Sequence, residues 1–217
     1  MSLVKLFQDV LDRAYLHTQP NEGSYSYELT DDGGLYMYFE ESNGLIDWKN
    51  NFDFPAKPYR DMGIKWKAHK GFVKVWKEIE PYLEEVINNP KVRYVVISGY
   101  SHGAAIAALA HEYVWFHRPD LRDDMTTYAF EPPRVFWGWR IPKELKERWR
   151  NYKVYRNGQD IVTHVPPTCF GYRHVGQMVK LNKDRKTIVD RTYVLKCVDE
   201  HNSPNVIAAL ERFESDL

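Results

Sequence analysis

The run Val92-Arg93-Tyr94-Val95-Val96-Ile97-Ser98 is β-branched and aromatic, and Ala104-Ala105-Ile106-Ala107-Ala108-Leu109-Ala110 is a strong helix former. Only Gly99-Tyr100-Ser101-His102-Gly103 separates them. A buried strand must therefore turn into a helix within five residues. A serine on so sharp a turn takes a strained backbone, and a side chain at either flanking position would collide with the adjoining strand or helix, hence the glycines. The turn also aims the first N–H groups of the new helix at the space beside the serine hydroxyl. There the His102 N–H can meet a developing oxyanion. Such a strand, G-x-S-x-G turn and helix form a nucleophile elbow.

The remaining chain supplies the scaffold that an elbow needs. Ser24-Tyr25-Ser26-Tyr27-Glu28-Leu29 and Leu35-Tyr36-Met37-Tyr38-Phe39 alternate as strands around Asp31-Asp32-Gly33-Gly34, which reads as a hairpin. From Gly71 to Ile87 the apolar positions Phe72, Val75, Trp76, Ile79 and Leu83 recur at helical spacing, until Asn88-Asn89-Pro90 stops the pattern. Further strands are expected at Thr126 to Phe130 and Tyr152 to Tyr155, with a short charged helix from Pro142 to Trp149 between them. A strand from Arg191 to Cys197 precedes a closing helix, capped at Ser203-Pro204, that buries Val206, Leu210 and Phe213. Strands alternating with helices imply a mostly parallel central sheet.

Size and charge bound the rest. A chain of 217 residues suits one domain, 1–217, with a full core. Lys plus Arg and Asp plus Glu are each 30, so a net charge of +0 leaves no basic footprint for nucleic acid. Met1 to Asp12 reads as an amphipathic helix capped by Ser2, with charges too early for a signal-peptide apolar region, and no stretch is apolar enough to span a bilayer. The expectation is a cytoplasmic protein with no stable membrane insertion. Cys169 and Cys197 show no metal or redox spacing and are expected to be free, packed thiols; neither metal nor organic cofactor is expected.

A serine hydroxyl is a poor nucleophile until a histidine takes its proton and a carboxylate holds that histidine's tautomer. In parallel sheets such groups collect past the carboxyl ends of strands. Asp160 lies just beyond the Tyr152 to Tyr155 strand and fits the acid. Three histidines follow Asp160. His164 comes too soon after Asp160 to fold back on it, and His174 lies in strand-like sequence. His201, at the entrance of the last helix, can swing across the sheet end and is the favoured base.

Four stretches together resemble one family. Ala68-His69-Lys70-Gly71-Phe72 is similar to an H-x-G-F helix start, and Gly99 to Gly103 with Ala105 to a G-H-S-L-G-G-A elbow. Phe130-Glu131-Pro132-Pro133-Arg134-Val135 is similar to an F-G-x-P-R-V turn. Asp160-Ile161-Val162 with Val165-Pro166-Pro167, followed by His174-Val175-Gly176, resembles D-x-V-x-x-x-P-P and H-V-G. These are motifs of class 3 lipases, the fungal triacylglycerol lipase-like α/β-hydrolases, in the family's order. The resemblance implies an α/β-hydrolase fold with helices flanking the sheet. It further implies Ser101 as nucleophile, Asp160 as acid and His201 as base, with His174 as the accessory H-V-G histidine. The family's F-R-G-T element, followed by Asp-Trp, corresponds to Phe39-Glu40-Glu41-Ser42 ahead of Asp47-Trp48, which makes Ser42 the second oxyanion donor and puts acidic residues where the family has Arg and Gly.

The function expected on this basis is hydrolysis of a small-molecule ester or lipid through an acyl-enzyme. The rivals are a non-catalytic lipid- or partner-binding descendant and another serine acyl-transfer enzyme. Pro55, Pro58 and Gly63 interrupt Phe52 to Trp66, where the family carries an amphipathic lid, so a cleft without a lid helix, edged by Trp137 and Trp139, and a preference for short-chain or soluble esters are expected.

Overall fold

The computed structural model describes residues 2–18, 24–40, 56–58, 67–138, 140, 143–182 and 199–217. In chain order the elements are α1 (Leu3–Arg13), β1 (His17–Thr18), β2 (Ser24–Leu29), β3 (Gly34–Glu40), β4 (Ala56–Pro58), β5 (Lys67–His69), α2 (Lys70–Ile87), β6 (Tyr94–Tyr100) and α3 (His102–His117). There follow β7 (Met125–Phe130), β8 (Phe136–Trp137), α4 (Lys143–Arg148), β9 (Tyr152–Arg156), β10 (Tyr172–Arg173), β11 (Gln177–Lys180) and α5 (Ser203–Ser215). Among these residues a seven-stranded sheet runs β1-β2-β3-β6-β7-β9-β11. The first two pairings are antiparallel and the four from β3 to β11 are parallel. The expected mostly parallel sheet is present.

Each face of that sheet is covered because the helices it needs have matching apolar stripes. On one side α3, apolar from Gly103 to Ala110, is buried from Gly103 to Val114 between the sheet and α2. The stripe of α2 is the expected one, Phe72, Val75, Trp76, Ile79 and Leu83, extended by Val86 and Ile87. On the other side Leu6, Phe7 and Val10 of α1 and Val206, Ala209 and Leu210 of α5 enclose Tyr38, Tyr100, Phe130 and Tyr155. Each fully buried side chain of this kind contributes about 1.5–3 kcal/mol. Glu214 of α5 receives hydrogen bonds from the Ser2 hydroxyl and the Leu3 N–H, which puts a carboxylate at the positive end of α1.

The β2–β3 hairpin forms as expected. Gly33, at φ 90°, lies so close to Lys91 that a Cβ would come within 2.6 Å of its carbonyl oxygen. A second, antiparallel sheet, β10-β8-β5-β4, packs Trp137 against Gly171, and its indole donates to the Phe170 carbonyl at 2.8 Å.

Several local expectations shift. Gly99 and Tyr100 still pair with β7, so the elbow strand runs through them and the turn is made at Ser101. Asn202, rather than Ser203, precedes the first helical residue of α5, with Pro204 in its first turn. Cys169 is exposed rather than packed, since its turn, Thr168–Phe170, lies on the surface. Of the Phe52 to Trp66 segment only β4 is described. Ser42, Asp47-Trp48, Trp139 and the Arg191 to Cys197 strand lie outside the described residues, as does Cys197.

Candidate active site

The elbow is built as its residue types require. Ser101 has φ 55° and ψ −121°, a left-handed conformation that a side-chain-bearing residue adopts only at a cost of about 1–3 kcal/mol. Its N–H is held by the Phe130 carbonyl at 2.9 Å, and its own carbonyl accepts from the Ala104 N–H at 3.1 Å. A Cβ on Gly99 would stand 2.5 Å from the Gly103 carbonyl oxygen, so no other residue fits there without moving the helix. His102 is the first residue of α3, where the N–H groups point out of the helix end rather than into its ladder. Packed among protein atoms, the His102 imidazole is pushed down to about 4, first by desolvation and then by the neighbouring His69.

Asp160 and His201 arrive from separate loops past the carboxyl end of the sheet. His201 Nδ1 lies 2.7 Å from Asp160 Oδ2, and its Nε2 lies 2.8 Å from Ser101 Oγ. With Nδ1–H donated to the carboxylate, Nε2 is left to accept the serine proton. Ser101 and Asp160 are 0% exposed and His201 is 2% exposed, so this chain of contacts is shielded from competing water. The turn after β9 clamps the loop that carries His201. Asn157 Nδ2 donates to the Glu200 carbonyl at 2.8 Å, and the Gln159 N–H to the Glu200 carboxylate at 2.6 Å. Tyr100 stacks on the His201 ring, with centroids 5.2 Å apart, and its hydroxyl donates to the His201 carbonyl.

The other downstream histidines are engaged elsewhere. His164 Nδ1 contacts the backbone carbonyl of Asp160 at 2.8 Å rather than its carboxylate, and Arg156 donates to its Nε2 at 3.0 Å. His174 Nε2 donates to the Thr163 carbonyl at 2.7 Å, and desolvation, ahead of the charges of Arg134 and Arg156, pushes its imidazole down to about 3. Two supports escaped the sequence reading. His69 caps α2, its Nδ1 accepting the Gly71 N–H at 3.2 Å, which explains the spacing of the His-Lys-Gly-Phe start. Arg134 pins the acid loop, its N–H reaching the Val165 carbonyl at 2.7 Å and its guanidinium the carbonyls of His164 and Pro166. An arginine directly after a Pro-Pro turn was the available signal.

Residues 36–170, well over half of the chain, match the family Lipase (class 3). The chain belongs to the class 3 lipase family. A secreted mono- and diacylglycerol lipase of Fusarium solani is 30% identical over 159 residues, covering 70% of this chain and 46% of that protein. One of Malassezia restricta is 29% identical over 137 residues, covering 58% and 40%. The chain spans less than half the length of these curated relatives. Among solved structures, the lipase of Rhizopus microsporus var. chinensis superposes with a TM-score of 0.66 at 18% identity, over 84% of this chain and 75% of that one. Another, described by the statement that a serine protease triad forms the catalytic centre of a triacylglycerol lipase, has a TM-score of 0.66 at 21% identity, over 85% and 76%. At such identities these likenesses establish the fold, and the expected α/β-hydrolase architecture holds.

The relatives correct one expectation of this lipase-family chain. Both are named secreted, so the cytoplasmic location is not supported. The early charges that argued against an apolar leader lie on α1, whose Leu6, Phe7 and Val10 belong to the core. They answer to folding and carry no information about compartment. Among the described residues no helix is long and apolar enough to cross a membrane.

Proposed function

We propose that this single α/β-hydrolase domain is a serine hydrolase of carboxylic esters that acts outside the cell, like its secreted relatives. The single observation that carries the reading is the contact chain Asp160 Oδ2, His201 Nδ1, His201 Nε2, Ser101 Oγ, at 2.7 and 2.8 Å. Ser101 Oγ bonds to the acyl carbon as its proton passes to His201 Nε2, while Asp160 holds the imidazole and balances its charge. The oxyanion is met by the His102 N–H and, by sequence register, that of Ser42. The imidazolium then gives its proton to the departing alkoxide. Water, deprotonated by His201 in turn, bonds to the acyl carbon, and as the Ser101 Oγ–acyl bond breaks the imidazolium returns that proton to Oγ and the acid leaves. No metal or cofactor enters these steps.

The relatives named for mono- and diacylglycerols support a lipid ester as substrate. The interrupted Phe52 to Trp66 segment favours short-chain or soluble esters over emulsified fat. Two measurements test this. A fluorophosphonate should label the wild type at Ser101 and leave Ser101→Ala unlabelled; an unlabelled wild type overturns the hydrolase. Rate against tributyrin concentration should saturate smoothly below the solubility limit, whereas a sharp rise as droplets appear refutes the lidless cleft.

A further inference from the structure

Phe130 ends β7 and accepts the Ser101 N–H, so the residue after it stands beside the elbow. That residue is Glu131. Its φ of 48° is left-handed, a conformation that suits glycine, and glycine is what the F-G-x-P-R-V pattern has there. The side chain is 0% exposed. Its Oε1 accepts the Asn157 N–H at 2.6 Å, and its Oε2 meets no donor among the described residues. The Asp160 side chain acts on this carboxyl both by charge and by hydrogen bonding. Asp160 already has a donor on each oxygen, the Val162 N–H on Oδ1 at 2.9 Å and His201 Nδ1 on Oδ2 at 2.7 Å. Two neighbouring buried carboxyl groups cannot both ionise readily, and the one with more hydrogen-bond donors keeps the charge.

We propose that Glu131 is a positioning residue of the triad: it stays protonated and donates a hydrogen bond to the Asp160 carboxylate, fixing the orientation in which Asp160 holds His201. The inference rests on the triad reading of Ser101, His201 and Asp160, and deepens it. The surroundings of the Glu131 carboxyl agree. Arg156 spends its guanidinium on Thr163 Oγ1 and His164 Nε2, each at 3.0 Å, and the Glu200 carboxylate turns to the Gln159 N–H. Among the described residues that leaves the Asn157 N–H and Asp160, with His201 beyond it, as the groups that meet Glu131. Burial, followed by the charge and hydrogen bond of Asp160, raises the Glu131 carboxyl well above the usual carboxylate range against the weaker pull of Asn157 and Arg156. A neutral donor orients Asp160 without adding a second negative charge, so the imidazolium can still surrender its proton to the leaving group.

The test compares Glu131→Gln, which keeps a donor, with Glu131→Gly, which removes it and relieves the backbone. On a p-nitrophenyl ester, Glu131→Gly should lose about ten- to hundredfold in kcat, the worth of one hydrogen bond to a charged group, with KM unchanged, while Glu131→Gln stays within about threefold of wild type. Equal kcat in the two variants, whether both retained or both lost, overturns the proposal. A second readout needs no turnover and no stable glycine variant. The folded Glu131 keeps its proton where the unfolded one ionises, so wild-type stability should fall as pH rises past the ordinary carboxylate range, and should fall less in Glu131→Gln. Parallel pH profiles of unfolding would show Glu131 already ionised and overturn the proposal. An active wild type with parallel profiles sinks Glu131 alone; an inactive wild type with diverging profiles sinks the hydrolase reading and leaves the proton-sharing pair standing.

Discussion

His201 and His111 are both buried, and each makes two short polar contacts. His201 lies between the Asp160 carboxylate and the Ser101 hydroxyl. His111, on α3, lies between Thr127 Oγ1 at 2.8 Å and the Arg148 carbonyl at 2.9 Å, with the Trp149 ring stacked 4.8 Å away. A carbonyl can only accept, so His111 must carry its proton on Nε2 and take the threonine hydroxyl on Nδ1. Among the described residues no carboxylate faces it to balance a positive ring, and burial pushes it down to about 4. The nearby carboxylate, Glu112, is turned instead to Arg148 at 2.7 Å. The number of hydrogen bonds therefore does not separate the histidine proposed as base from a structural one. The chemical type of its partners does, together with its place: His201 beside the left-handed turn past the strand ends, His111 behind β7.

The largest effect that can break this contrast is on turnover. Ser101→Ala should lose about a millionfold in kcat with the fold intact, and His201→Ala about as much, because members of a triad act as a unit. Asp160→Asn should lose about ten-thousandfold by favouring the wrong imidazole tautomer. His111→Ala should leave kcat unchanged and lower stability, since each partner stranded without its bond costs about 1–3 kcal/mol. Ester hydrolysis and chemical unfolding on the same four preparations read both quantities, and a collapse of kcat in folded His111→Ala would erase the distinction.

A smaller effect sharpens the structural side. Glu112 is enclosed, and burial raises its carboxyl to about 7 against the opposing pull of Arg148. An unfolded glutamate ionises near 4.5, so the folded protein holds an extra proton between there and about 7, and this contribution to stability is lost as pH rises through that window. Glu112→Gln should flatten the decline. Breaking the pair outright with Glu112→Ala should cost about 3–5 kcal/mol by leaving Arg148 buried and unpaired. Urea unfolding on both sides of that window measures each. The smallest effect is at the base loop: Tyr100→Phe keeps the stack on His201 but loses the hydroxyl bond to its carbonyl, which should lower kcat by about two- to tenfold. An unchanged kcat would show that the stack and the Glu200 contacts hold the loop without the hydroxyl.

What the sequence determined by itself was everything encoded in short-range chemistry. Two glycines around a serine, between a β-branched run and an alanine-rich run, left the chain one sterically acceptable turn, and the stripe from Phe72 to Leu83 allowed only a helix with that face buried. The parallel order followed from alternation. The long-range pairings were open. Three histidines beyond Asp160 were candidates for the base, and only the tertiary structure brought His201 onto Ser101 while the Thr163 carbonyl and Arg156 engaged His174 and His164. Glu131 looked like a lapse from a glycine pattern. Its meaning depends on β7 and β9 lying side by side, which sets its carboxyl against Asp160 across 29 residues of chain. Local sterics act between neighbours and are written in neighbours; the partner of a buried proton is chosen by whatever the packed sheet places within reach.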